Sequence, residues 1–219
     1  MKLQANLLAR SIWYFPTEDL NPRGLDLIPV LIGIRNRYQF QKYPSKPDEL
    51  TGAPDGIQFT RGVFRLGDGQ GISIGSLKIY TDGLVADTSH STTASDEFLE
   101  DLLTFLAEAH SLAFSPDMIR KKDHRSELAV TSEIDLETIN GKFKEFARLL
   151  ADSTPGSPMY TATGIRFETD PAFPNQQARF SFERRDGHPF EHKRYFSSAL
   201  MGTDEHWRLL EIFEQLMSV

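Results

Sequence analysis

The sequence contains no cysteine. Disulfides, zinc–thiolate sites, iron–sulfur clusters and a cysteine nucleophile are therefore excluded, and a reducing, cytoplasmic location is favoured. Long apolar runs are missing too. The longest, Leu25 to Ile34, contains Asp26, Pro29 and Gly33 and falls well short of the ~20 residues that cross a bilayer. At the N-terminus Arg10 interrupts a short, broken apolar stretch before any signal-peptide core forms, so a cytoplasmic chain with no membrane partner is expected. Positive charge is scarce: 24 Lys and Arg stand against 31 Asp and Glu, a net charge of −7. Proteins that live on nucleic acid usually carry a basic face, because phosphate neutralisation supplies most of the binding energy. Nucleic acid is accordingly not the expected partner.

What is present is material for a core. The 219 residues include 16 Phe, ample apolar surface to offset the entropy of ordering, for one large domain or two small ones. Residues 95–110 read as an amphipathic helix. Ser95 is its expected cap, Asp96 and Glu97 complement its dipole, and Leu99, Leu102, Leu103, Leu106 and Ala109 share one face. A near copy closes the chain, with Thr203 as cap, Asp204 and Glu205 next, and Trp207, Leu210, Phe213 and Met217 on the stripe.

Each helix follows a hairpin signal. Asp82-Gly83 separates residues 77–80 from 84–86, and Asp186-Gly187 separates 180–183 from 190–196, with glycine accepting the positive φ of a tight turn. Residues 58–65 and 160–167 are strand candidates with an internal glycine, read as a bulge. Leu136, Ile139, Phe143, Phe146, Ala147 and Leu150 form a helical stripe behind Asp135 as cap. Leu27, Val30, Ile34 and Tyr38 form an earlier counterpart behind Asp26, with Pro29 in the first turn, although Ile32-Gly33-Ile34 could equally belong to a strand. Residues 7–15 and 128–134 open the two halves as strands, and the segments 41–56 and 153–158 are loops.

The order β-α-β-β-β-α thus occurs twice, about 105 residues apart. An α+β protein is expected: two layers, a mainly antiparallel sheet with helices packed on one face, and two halves related by internal duplication. The halves are residues 1–115 and 126–219 with a polar linker at 116–125, either as separate domains or as one continuous pseudo-symmetric domain. This order of elements is similar to that of the TATA-binding-protein and helix-grip folds, a likeness of topology with no shared motif and no functional content.

Patterns that carry chemistry are sparse. Gly71-Ile72-Ser73-Ile74-Gly75 matches the G-x-S-x-G nucleophile elbow, but that serine requires a strand-to-helix turn and residues 76–80 read as strand. Gly67-Asp68-Gly69-Gln70-Gly71 mimics a phosphate loop yet precedes a strand, so it reads as a hairpin turn. His188 and His192, with Glu183 as a third donor, are the candidate metal ligands. Their place at a hairpin tip explains them equally well as exposed polar residues, and no metal is assigned. Arg179, Arg184, Arg185, Lys193 and Arg194, interleaved with Phe180, Phe182, Tyr195 and Phe196, form a candidate binding surface of basic and stacking groups. Alternation with Ser181 and Glu183 also describes a half-buried strand.

Asp96, Glu97, Glu100 and Asp101 read as a solvated helix face, and His90, His110, His124 and His206 lack partners at motif spacing. No catalytic residue and no cofactor is assigned. The expected function is a non-enzymatic protein-interaction or assembly module whose partner is another protein or a second copy. Two alternatives stay open: a hydrolase or metal-dependent enzyme with a site between the halves, and a ligand- or nucleic-acid-binding sheet.

Overall fold

Strand β1, Lys2–Tyr14, alternates buried Ala9, Ser11 and Trp13 with half-buried Leu8, Arg10, Ile12 and Tyr14, the period of two that one covered face imposes. The computed structural model describes residues 1–44, 56–156, 158–170, 172 and 179–217. It continues with α1 (Ile28–Tyr38), β2 (Ile57–Arg65), β3 (Gly71–Tyr80), β4 (Gly83–Thr88) and α2 (Thr92–His110). Then follow β5 (Lys121–Thr131), α3 (Gly141–Ser153), β6 (Gly164–Glu168), β7 (Arg179–Arg184), β8 (Arg194–Ala199) and α4 (Thr203–Met217). Hydrogen bonding orders the strands β2-β3-β4-β1-β5-β8-β7-β6, and every pair with a described register is antiparallel. The class is α+β. No helix among the described residues is long and apolar enough to cross a membrane. Residues 45–55 of the proline-rich loop, and Ser157 of the second loop, lie outside the described residues.

The residues group into two compact units. The larger comprises Asn6–Ser126 with Met201–Thr203; the smaller comprises Met1–Ala5, Glu127–Leu200 and Asp204–Val219. The polar stretch Lys121–Arg125, expected as linker, is instead the first part of β5, because alternate side chains there find partners: Lys122 lies over the Trp13 ring and His124 meets Asp96.

In the larger unit α1 and α2 bury Val30, Leu31, Ile34, Tyr38, Phe98, Leu99, Leu102 and Leu103 in one core with Trp13, Phe59, Leu77 and Leu84. Tyr38 stands edge-on to Phe98, with ring centroids 4.9 Å apart, a favourable quadrupole geometry. Two residues keep β2 and β3 facing this core. Arg61 takes a left-handed backbone, φ 59°, and the β3–β4 register slips between Ile74 and Ser76, making Gly75 the bulge. Both strands reset their alternation there, so Phe59 and Phe64, and likewise Leu77 and Ile72, all reach the same core. The expected bulge at Gly62 is therefore displaced to its neighbours. Gly62 serves a close approach instead: a Cβ there would stand 2.5 Å from the Phe40 ring. Gly83 is required for a similar reason, since a Cβ would overlap the Trp13 carbonyl oxygen.

Helix α2 starts earlier than expected. Ser91, with extended backbone, accepts from the Ala94 N–H at 3.0 Å and is the cap. Ser95 is buried inside the helix, where its hydroxyl donates to the Ala9 carbonyl at 2.9 Å. Four Ser and Thr residues between 91 and 95 could each cap locally; the distant contact with β1 selects among them.

The smaller unit has a smaller core, Leu128, Val130, Ile134, Leu136, Phe182, Tyr195 and Leu210, with Trp207, Phe213 and Met217 of α4 packed against it. The helix expected over 135–150 divides here. Leu136–Ile139 is a 3-10 turn whose Leu136 is buried, and α3 begins after Asn140, whose side chain accepts from the Lys142 N–H at 3.0 Å. Asp135 is therefore not the cap. Strand β6 starts at Gly164, not at residue 160, and Phe190–His192 is a 3-10 turn preceding β8.

Candidate functional site

The hairpin between β7 and β8 carries the sequence candidates, and the register separates them. Arg184 pairs with Tyr195, Phe182 with Ser197 and Phe180 with Ala199 on one face, while Glu183 pairs with Phe196 on the other. Tyr195 is not part of a binding surface, which corrects the expectation: it is fully buried, stacks on Phe182 with centroids 4.5 Å apart, and donates its hydroxyl to the Ile134 carbonyl at 2.7 Å. Burial pushes its phenol pKa up. Arg184 shares that face. Its guanidinium lies 5.3 Å from the Tyr195 ring and 4.7 Å from the Phe190 ring, and donates to the Phe190 carbonyl at 2.9 Å, so it braces the hairpin. Arg179 is committed to Glu168 at 2.7 Å, and Lys193 pairs with Glu133. Arg194 is exposed and Arg185 half-buried.

A shallow hollow of about 570 Å3 at the hairpin end gathers Glu183, Arg184, Arg185, Asp186 and His188, but not His192. Its two arginines face two carboxylates, which gives no net field for an anion. Burial lowers the His188 pKa, with Arg194 and Arg185 nearby acting the same way. Among the described residues no three His, Asp or Glu side chains are placed to hold one metal ion, so His188, His192 and Glu183 are not brought together as a ligand set.

The histidines without motif partners do find partners in the fold. Fully buried His206 places Nε2 2.8 Å from the Ser197 hydroxyl. This resembles a nucleophile–base pair, yet the serine donates its only proton to the Ser181 carbonyl at 2.7 Å. The His206 Nε2 therefore carries the hydrogen and donates, and both residues are sealed from solvent. Burial lowers the His206 pKa to about 4. His124 donates to Asp96 at 2.9 Å, and the Trp13 indole N–H reaches the same carboxylate at 2.8 Å. Burial works to raise the Asp96 pKa, but the hydrogen bonds from His124 and Trp13 outweigh it and leave the pKa lowered. Ser73 of the G-x-S-x-G match lies inside β3, opposite Val63. Of residues 67–71 the first four form the β2–β3 turn, with the Gly69 N–H donating to the Leu66 carbonyl, while Gly71 opens β3.

An unanticipated feature is α3. Among the described residues it buries none of its side chains, although Phe143, Phe146, Leu149 and Leu150 align on one side. Phe146 is 60% exposed and Leu149 48% exposed. Helix α1, whose apolar stripe has the same helical period, buries Val30, Leu31, Ile34 and Tyr38. The stripe was legible in the sequence; that it faces solvent was not, since periodicity identifies an apolar side without saying what covers it. No protein-family model matches this chain, and no curated protein is similar to it in sequence.

Proposed function

We propose that this chain is a non-enzymatic assembly module that pairs with a second copy of itself through α3. The observation that carries the reading is the exposed apolar stripe of Phe143, Phe146, Leu149 and Leu150, since contiguous apolar surface on a folded protein marks an interaction site. The charges beside the stripe favour a second copy as the occupant. On a helical wheel Lys142 lies at the Leu149 edge of the stripe, with Glu145 and Asp152 just beyond it on the same flank. A two-fold axis relating antiparallel helices returns that flank against itself with the ends exchanged. Lys142 of one copy then lies beside Asp152 of the other, while the apolar residues meet across the axis. The Arg148–Asp152 pair at 3.3 Å is exposed and leaves Asp152 available.

The same reading takes the two β-α-β-β-β-α runs as an internal duplication. Matching β5–β8 to β1–β4 makes the strand order read alike from either edge. Thr92 and Thr203 open α2 and α4 111 residues apart, and each donates its backbone N–H to the other's hydroxyl, at 2.7 and 3.0 Å. The proposed location is the cytoplasm, on the absence of cysteine. The hydrolase and metal readings have less support, because the Ser197–His206 pair is sealed and no three donors are placed to hold one metal ion among the described residues.

Sedimentation velocity from about 1 to 100 μM tests the pairing. The chain is expected to dimerise, Phe146→Lys to abolish the dimer with unchanged circular dichroism, and Lys142→Asp to weaken it until Asp152→Lys restores it. A chain that stays monomeric across this range, or a Phe146→Lys variant that still dimerises, overturns the proposal.

A further inference from the structure

We infer that the larger unit holds a binding site for a small cationic amphiphile: an apolar body of roughly drug size bearing one protonated amine. Between α1 and strands β2 and β3 lies a hollow of about 780 Å3, within the ~300–1,000 Å3 typical of small-molecule sites. Leu20, Val30, Leu31, Ile34, Leu106 and Leu112 wall it, and all six are buried. A closed apolar void of this size would cost more than the whole stability of a small domain. The hollow persists because it opens to solvent, and an apolar guest would supply the dispersion contacts its walls lack.

The rim is built in advance. The Thr17 N–H donates to the Thr81 carbonyl at 2.9 Å, and its hydroxyl donates to the Tyr80 carbonyl at 2.8 Å. The Ala113 N–H donates to the Leu20 carbonyl at 2.8 Å. Asn21 closes the adjoining loop by donating to the Leu25 carbonyl at 2.9 Å and accepting the Leu25 N–H at 2.8 Å. Little ordering entropy would then be lost on binding.

Charge selects the guest. None of the described lining residues is Lys, Arg or His, whereas Glu18 and Asp82 are both among them. An ammonium head group beside these carboxylates is attracted; a fatty carboxylate is repelled. Tyr80 is the single aromatic residue among the described lining residues, too few for an aromatic cage, so the guest's body binds by apolar burial and its amine by the two acids.

Isothermal titration with decylammonium, decanol and decanoate, each below its micellar concentration, tests the inference. Decylammonium is expected to bind one to one, at least ~10-fold tighter than decanoate. The double variant Glu18→Gln, Asp82→Asn should erase that preference while leaving decanol binding unchanged. Leu27→Arg adds a cation to the lining at a 44% exposed position and, with circular dichroism unchanged, should abolish decylammonium binding. Equal affinity for amine and carboxylate, no binding of decylammonium, or binding indifferent to Leu27→Arg would each overturn the inference. The site does not depend on pairing through α3: Phe146→Lys should bind decylammonium as the parent chain does, so either proposal can fail alone.

Discussion

Single side chains in this protein are mostly settled by what they meet across the sheet. His206 is held neutral in the interior, with its pKa lowered to about 4 by burial, while an unfolded histidine titrates near 6.5. Between those values the unfolded chain binds a proton that the native one refuses, so stability must fall as the pH falls from about 6.5 towards 4. The loss from this residue is expected to be roughly 3 kcal/mol, visible as a lower urea midpoint at pH 4.5 than at pH 7. His206→Gln should flatten that part of the profile; an unchanged slope would show that His206 is not its source. Tyr38 offers a second case. Its buried hydroxyl donates to Asp101 at 2.6 Å, and Arg37 grips the same carboxylate through two nitrogens at 2.8 and 3.1 Å. Burial and the Asp101 charge both push the phenol pKa up, so it stays a donor at any ordinary pH. Tyr38→Phe is expected to cost about 1–2 kcal/mol, measured by urea denaturation.

At the scale of elements, caps and close approaches decide where helices start and how strands are spaced. Ser91→Ala should destabilise the chain by about 1 kcal/mol through the first turn of α2. The same loss from substituting any other Ser or Thr of that run would have to arise from tertiary contacts. Gly62→Ala places a methyl against the Phe40 ring and is expected to cost about 1–3 kcal/mol as overpacking, read from the thermal midpoint. A neutral result would mean that Phe40 swings away freely. Helices α1 and α3 are the sharpest comparison. Both carry an apolar stripe of helical period, yet α1 meets a sheet face lined with Phe59, Leu77 and Leu84, whereas α3 buries no side chain among the described residues. Local sequence made both helices, and their surroundings made one a core element and the other an exposed surface.

For the molecule as a whole, the two compact units differ in what holds them. The larger has α1 and α2 sealed onto its strands around Trp13, Tyr38, Phe59 and Phe98. The smaller relies chiefly on α4, with Phe182 and Tyr195 stacked beneath it. Native-state hydrogen exchange should therefore show α3, β6 and β7 opening at lower urea than β3, β4 and α2. Uniform protection across both sets would show that the units unfold together. The sequence by itself determined the α+β class, the hairpins at Asp82-Gly83 and Asp186-Gly187, the stripes of α1, α2, α3 and α4 and the absence of thiol chemistry. Those features depend on residues close together in the chain, where period, turn chemistry and composition speak directly. Only the tertiary structure decided that Tyr195 is core rather than surface, that Lys121–Arg125 is strand rather than linker, and that His206 meets Ser197 and His124 meets Asp96. It alone decided that Leu20, Leu31 and Leu112 wall a hollow while Phe146 faces outward. Each of these turns on which distant segment lies opposite, and an amphipathic pattern records that a side chain avoids water without recording what it avoids water with.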